Sequence, residues 1–260
     1  MNTTLLISTY NWPKALELVL MSVKRQKKLP TEVVIADDGS TEETKKLIES
    51  FQENFPVKIR HIWHEDKGFT KTVILNKALK TITSDYVIQI DGDIILHSNF
   101  IKDHIANAKK GTYLFGSRIS ITEPYSKKAL EKKQIKFYWF GSGLLRRTRA
   151  IYLPFYNIFT KPKHKNSSKL RGCNMSYWLK DAININGYNE DYIGWGYEDF
   201  DFAQRLINAG VAAKRIKHAA IQFHIYHKEA PKGDTDKGNK ILSKTIQEQI
   251  SVCKNGIKKL

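Results

Sequence analysis

Asp91 and Asp93 stand one residue apart in the stretch YVIQIDGDII, between the apolar run at 87–90 and the pair Ile94 and Ile95. Carboxylates among so much apolar surface are costly unless something compensates their charge. A divalent cation with hard-oxygen preference, Mn²⁺ or Mg²⁺, is a natural compensator, and such ions commonly bridge to substrate phosphates. Gly92 between them has no Cβ, so the backbone can turn tightly and a diphosphate can approach it. The plain alternative is a strand end followed by a D-G turn, with both acids in water.

Two further groups could join that chemistry. Glu198, Asp199 and Asp201 fall in the first turn of a predicted helix over 198–210, whose apolar side carries Phe202, Ala203, Leu206 and Ile207. Acids in that position ordinarily compensate the helix dipole, worth about 0.3–1 kcal/mol each. The preceding Gly194-Trp195-Gly196 argues for more. A tryptophan between two glycines is costly in chain entropy and makes a stacking platform suited to the C–H face of a sugar. His224 and His227 follow a strand-like run at 219–223 and offer a metal a nitrogen ligand. A surface or core role is the commoner fate of a histidine.

The elements that must position these residues follow from the apolar pattern. Residues 4–8, 32–36, 57–63 and the stretch before Asp91 read as short strands, with helices over 41–54 and 70–81. After Thr9-Tyr10-Asn11-Trp12-Pro13, which puts proline in a first turn, Leu16, Val19, Leu20 and Val23 recur at helical spacing. Thr41 is placed to cap the next helix. This alternation argues a parallel, doubly wound sheet, and such sheets bind ligands beyond the carboxyl ends of their strands. Polar clusters fall there: Thr9, Tyr10 and Asn11; Asp37, Asp38, Gly39 and Ser40; Asp66, Lys67 and Gly68; and Asp91, Gly92 and Asp93. Neither GxGxxG nor GxxxxGK[ST] is present, so acids and a metal would have to hold any nucleotide. Further on, a helix is expected over 99–110 and a strand over 112–116. The basic, aromatic stretch 123–169 reads as an irregular excursion or lid, and an amphipathic helix over 236–253 precedes a basic tail.

Composition bounds the rest. At 260 residues and 41% hydrophobic, the chain can bury a real core. It has no apolar run of about 18 residues, so no membrane-spanning helix is expected. Its two cysteines form no CxxC and no leader-like segment opens the chain, which fits a reducing cytoplasm. A net charge of +17 attracts polyanions: nucleic acid, anionic lipid or phosphorylated substrates. No nucleic-acid-binding motif is found, and a nucleic-acid module would leave the ordered acids without a purpose. Residues 146–159 and the C-terminal helix instead suit peripheral contact with an anionic leaflet, such as the inner face of the plasma membrane. A merely solvated basic surface is the alternative.

Taken together, STYNWP, DDGS, HEDKGF, DGD, RGCNMS, GYNEDYIGWGYEDFDF and YHKEAPKG, in this order, resemble inverting family 2 glycosyltransferases of the GT-A fold. The C-terminal part is similar to β-1,4-galactosyltransferases and bacterial chondroitin-type polymerases. The fold implied is α/β, Rossmann-like, with a mostly parallel central sheet flanked by helices. Residues 1–117 would be the nucleotide-sugar half, 118–235 the acceptor half, and 236–260 the basic C-terminal helix.

The resemblance implies roles position by position. Thr9 and Asp37 would contact a uridine, with Tyr10 and Asn11 beside the base and Asp38 in the same pocket. Lys67, Gly68 and Gly92 would border the donor. Asp91 would face ribose and metal, and Asp93 would bind the metal directly, with His227 completing the site and His224 the less favoured candidate. Asp199 would be the base, Glu198 would help hold a sugar, and Trp195 with Gly196 would stack on one. The reaction implied is single-displacement transfer of a hexose or N-acetylhexosamine from a UDP-sugar to a glycan or lipid-linked acceptor. One tension remains: a helix N-terminus lowers a carboxylate pKa, whereas a base near neutral pH needs it raised. The alternative enzyme class is a sugar-phosphate nucleotidyltransferase, for which STYNWP is a poor triphosphate loop.

Overall fold

The strand-like runs near the N-terminus pair as their apolar pattern requires. In the computed structural model, which describes residues 1–194, 196–228 and 235–260, β1 (Thr3–Thr9), β2 (Glu32–Asp37), β3 (Lys58–Trp63) and β4 (Tyr86–Asp91) lie parallel in the order β3-β2-β1-β4. Register sets Ser8 opposite Asp91 and Thr9 opposite Asp37, so the polar strand ends finish at one level. Side chains alternate across the sheet. Leu5, Ile7, Val33 and Ile35 face one side, packed with Leu16, Val19, Leu20 and Val23 of α1 (Pro13–Lys24) and Ile48 of α2 (Glu42–Glu53). Leu6, Val34 and Ala36 face the other, against Ile74, Leu75 and Ala78 of α3 (Lys71–Thr81).

The sheet is mixed beyond β4. After α4 (Phe100–Asn107) come β6 (Thr112–Phe115), β9 (Met175–Trp178) and β10 (Ala212–Arg215). The antiparallel β9 lies between β4 and β6, and β10 runs parallel to β6, giving seven strands in all. A four-stranded sheet sits beside it in the order β5 (Ile94–Leu96), β11 (Gln222–His224), β7 (Ile119–Ile121), β8 (Leu144–Leu145). The DGD thus spans the passage between sheets: β4 ends at Asp91 and β5 begins after Asp93. β11 pairs antiparallel with β5, His224 opposite Ile94, which brings the histidine segment to the DGD.

Several expectations are corrected. Thr41 occupies the N-cap of α2 without a side-chain capping bond; the Thr44 N–H that a cap could take donates to the Thr41 carbonyl at 3.1 Å, and the Thr41 N–H itself donates to Asn11 Oδ1 at 2.8 Å. The stretch 123–169 is partly regular: α5 (Glu123–Glu131) packs Ser126 and Ala129 inward, and Ser126 Oγ accepts the Tyr226 N–H at 2.8 Å. The helix over 99–110 is shorter, Phe100–Asn107, and the strand expected at 219–223 is observed at Gln222–His224. α6 (Leu179–Asn184) precedes α7 (Glu198–Asn208), and α8 (Thr235–Gln247) ends well before residue 253. The basic tail folds back, with Cys253 and Ile257 buried and Lys259 paired with Glu190. Among the described residues no helix is long and apolar enough to cross a membrane.

α7 is anchored by charge as well as apolar area. Asp201 and Arg205, both buried, pair at 2.7 Å. Arg205 Nη1 also donates to the carbonyls of Ile185 and Gly187, and Thr245 Oγ1 of α8 donates to Asp201 Oδ1. Removing one member of such a pair strands the other charge in low dielectric. Arg205→Ala is expected to destabilise the fold by about 3–5 kcal/mol in urea denaturation, whereas Lys45→Ala, which breaks an exposed pair with Glu42, leaves the midpoint unchanged.

Candidate active site

At the end of β4, Asp91 Oδ1 accepts hydrogen bonds from Ser8 Oγ and Lys71 Nζ, both at 2.8 Å. The backbone then turns so closely over β1 that a Cβ on Gly92 would stand 2.8 Å from Thr9 Oγ1, and the Gly92 N–H donates to the Ser8 carbonyl at 2.7 Å. That approach is why this position takes glycine. The turn leaves Asp93 aimed toward the histidine segment.

His224 Nε2 and His227 Nε2 lie 3.3 and 3.0 Å from Asp93 Oδ2, and 3.2 Å from each other. Separations near 3 Å are those of neighbouring ligands around one ion at about 2.1 Å. Asp93 Oδ1 is buried with no hydrogen-bond partner, so the carboxylate has spare acceptor capacity where a cation would need it. One carboxylate and two imidazoles within ligand reach therefore fit a divalent ion. Burial alone would raise the Asp93 pKa; hydrogen bonds to His224 and His227 outweigh it and hold the carboxyl well below the usual range. The same bond raises His227 against its partial burial. Trp12 packs edge-on against His227 at 5.7 Å between ring centres, so the first strand's loop also orients the ring.

Across from this corner, the N-terminus of α7 presents Asp199. The loop before it is conformationally demanding: Gly194, Gly196 and the N-cap Tyr197 all have positive φ. Glu198 is buried and accepts the Gly196 N–H at 3.0 Å. The Gly172 backbone lies against Asp199, so a Cβ there would stand 1.9 Å from Asp199 Oδ2. Burial first, then the neighbouring charge of Glu198, push the Asp199 carboxyl up to about 7, although Lys71 and the Gly172 N–H pull the other way. Desolvation thus overrides the helix dipole, which removes the tension noted from sequence. Lys71 joins the two corners. Burial would depress its ammonium, but Asp91, Asp199 and Glu198 together hold it well above the ordinary lysine range.

The remaining candidate donor residues are placed along the same strand ends. Asp37 is fully buried, with Ser40 N–H and His61 Nε2 on its two oxygens at 2.8 Å. Asp38 accepts from His64 Nε2 and from the Thr70 N–H and hydroxyl. Thr9 is buried and its carbonyl accepts the Asp38 N–H. Tyr10 is half exposed and donates to Asp66 Oδ2 at 2.9 Å, Asn11 holds a left-handed turn, and Lys67 and Gly68 lie exposed in the next loop. Trp195 lies outside the described residues, as does the Glu229 to Gly233 part of the YHKEAPKG motif. Sequence reasoning missed Lys71, Ser8, Trp12 and Gly172. Lys71 is one lysine among many at a helix start; Ser8 and Trp12, inside STYNWP, and Gly172, inside RGCNMS, lay in motifs that pointed to the site.

Comparisons with known proteins agree with this architecture. The profile of Glycosyl transferase family 2 matches residues 4–168, and that of the N-terminal domain of galactosyltransferase matches residues 154–228. The chondroitin synthase of Escherichia coli is 23% identical over 95% of this chain, and the chain spans 38% of that protein's length. Among solved structures, Staphylococcus aureus TarS 1-349 superposes with a TM-score of 0.65 at 17% identity, covering 96% of this chain and 65% of the other; the same fragment has been solved with UDP-GlcNAc. The mannosyltransferase PcManGT of Pyrobaculum calidifontis, in complex with GDP-Man and Mn²⁺, gives 0.60 at 17% identity over 88% and 58% of the two chains. The fold is the GT-A type that the sequence motifs implied.

The environment of Asp199 has a consequence for stability. Its folded pKa, about 7, is raised above the free value of 3.8. The stability it contributes is therefore fully present below about pH 4 and lost as pH rises towards 7, by on the order of 1 kcal/mol per pH unit. Asp199→Asn removes that titration. Its stability relative to the native chain should rise between about pH 5 and pH 7 in urea denaturation; a pH-independent difference would place the ionisation elsewhere.

Proposed function

The chain belongs to glycosyl transferase family 2, and on that premise we propose that it is an inverting enzyme transferring a hexose or N-acetylhexosamine from a UDP-sugar to a hydroxyl of a glycan acceptor. The observation that carries this reading is a buried carboxyl poised near neutral pH, Asp199, linked through Lys71 to the DGD corner. Such a group suits general-base work. A nucleotide-sugar donor is further supported by the TarS and PcManGT complexes, one with UDP-GlcNAc and one with GDP-Man.

In this reading Thr9, Tyr10, Asn11, Asp37, Asp38, Lys67 and Gly68 receive the nucleotide, and Asp91 faces the ribose. Asp93, His227 and His224 would hold Mn²⁺ or Mg²⁺, which would supply positive charge against the leaving diphosphate. Asp199 accepts the proton of the acceptor hydroxyl as its oxygen forms a bond to the anomeric carbon. The bond from that carbon to the UDP oxygen breaks on the opposite face, UDP departs, and the anomeric centre inverts. Glu198 keeps Asp199 basic and contacts a sugar. Lys71 stops the three carboxylates from repelling one another out of register. Trp195 and Gly196 offer the acceptor its stacking surface.

A peripheral membrane position is part of the same proposal. Leu153, Phe155, Ile158 and Phe159 are 53–80% exposed, and Lys161, Lys163 and Lys165 follow directly. Apolar side chains ringed by cations suit an anionic leaflet, which would bring the enzyme to a lipid-linked or cell-surface acceptor. Co-sedimentation with phosphatidylglycerol vesicles at low salt is expected, and it should fall sharply in the Phe155→Ser, Phe159→Ser double variant. Equal sedimentation of that variant would remove the contact.

The central test is a donor screen reading UDP release with and without Mn²⁺. Asp199→Asn should keep UDP binding and lose transfer by about 10²–10⁴-fold. Asp93→Ala should abolish the metal's effect on UDP affinity. Substantial turnover in Asp199→Asn would move the base, with Glu198 the first suspect.

A further inference from the structure

Beside the candidate active site lies a second cleft of about 380 Å³, lined by Arg118, Arg146, Arg149, Lys169, Arg171 and Arg215 with Ser117 and Ser120. No acid lines it, and among the described residues none of the six cations forms an ion pair. The composition of this wall is unlike the rest of the chain. Arginine makes up nine of the 43 cationic residues, yet five of those nine are here. A solvated basic surface in this lysine-rich protein would be built of lysine. Arginine's planar fork is suited to bidentate recognition of phosphate and carboxylate.

The cations are also held in place and incompletely satisfied. Arg149 Nη1 donates to the Arg118 carbonyl at 3.1 Å, and Arg215 Nη2 to Ser117 Oγ at 3.1 Å. Arg215 Nε is buried with no partner. Burial, and then the charges of Arg146, Arg215 and Arg171, lower the Arg149 pKa, a sign of like charges crowded without a counter-ion. Clustering of this kind costs stability unless an anion offsets it.

Position relates the cleft to the reaction. Ser120 on its wall is the cross-strand neighbour of His224. Arg171 immediately precedes Gly172, whose backbone lies against Asp199. The cleft wall therefore adjoins both the metal-ligand strand and the segment that presses on the proposed base. We propose that it is an acceptor subsite that binds a phosphate or carboxylate borne by the acceptor glycan, holding the neighbouring hydroxyl against Asp199. This rests on the reading of Asp199 as the base. The donor's diphosphate is the other anion in the reaction, and it is assigned to the Asp93 corner.

The test is calorimetry on the full chain with three oligomers of four units: a glycerol phosphodiester, a uronic-acid oligosaccharide and neutral maltotetraose. UDP with Mn²⁺ forms a separate arm. At least one anionic oligomer should bind and the neutral one should not, the preferred one identifying phosphate or carboxylate. Arg149→Gln with Arg215→Gln should weaken that binding by about 10-fold or more, and Arg149→Lys, which keeps charge but loses the fork, should fall between. UDP affinity should stay unchanged in both variants. Failure of both anionic oligomers to bind overturns the subsite while leaving the donor reading intact. A parallel loss of UDP affinity in the arginine variants overturns it as well, by giving the cleft to the donor diphosphate.

Discussion

One ammonium group, Lys71 Nζ, compensates the carboxylates of Asp91, Asp199 and Glu198 in a corner with little water. Three acids brought that close would otherwise repel one another and take up protons. With the lysine present, Asp91 is tied at 2.8 Å and Asp199 is left to settle near neutrality. Each partner comes from a different element: Asp91 from β4, Lys71 from the first turn of α3, Asp199 and Glu198 from the first turn of α7. The corner therefore exists only when α3 and α7, which pack on the same face of the sheet as Leu6 and Val34, are both docked, so the charge balance and the fold are one constraint. Arg205, paired with Asp201, ties α7 to the Ile185 and Gly187 carbonyls, and Asp201 ties it to Thr245 of α8.

The second sheet segregates charge. Asp93, just before β5, meets His224 at the end of β11, while Arg118, just before β7, and the segments at 146–149 and 169–171 line the arginine cleft. A surplus of +17 would by itself describe only a sticky surface; it becomes specific because five arginines share one wall.

Much of this was legible in the residues, and for a physical reason. Strands and helices before residue 117 follow local periodicity, and β1, β2, β3 and β4 lie where their apolar runs predict. A polar residue that ends a buried strand lies at the sheet's edge whatever the distant chain does, which is why the clusters at 9–11, 37–40, 66–68 and 91–93 could be read as one edge. Where local pattern competes with distant contacts, the reading weakened. Thr41 sits at the N-cap of α2 as its type predicts, but its hydroxyl makes no cap bond and its own N–H is tied to Asn11 of another loop. The tail beyond α8 reads only as basic from its composition, yet the Lys258 N–H bonds Asn186 Oδ1 and Ile257 packs inside, because only the fold supplies a groove for them.

The Asp199 carboxyl shows the division most clearly. Its place at a helix start is written in the sequence, and by itself predicts a depressed pKa. Whether it is a base depends on burial, on Glu198 beside it, on Lys71 more than a hundred residues earlier and on a glycine backbone pressed against it. The same holds for the two histidines, which the sequence offered as alternatives and the strand pairing brings together on Asp93. Sequence alone determined which chemical groups this chain owns, the order of its elements and the family whose motifs it carries, because residue type and local periodicity act over a few positions. Tertiary structure decided which charges are desolvated and which face one another, because Coulomb and solvation energies depend on distance and dielectric through space, not on separation along the chain.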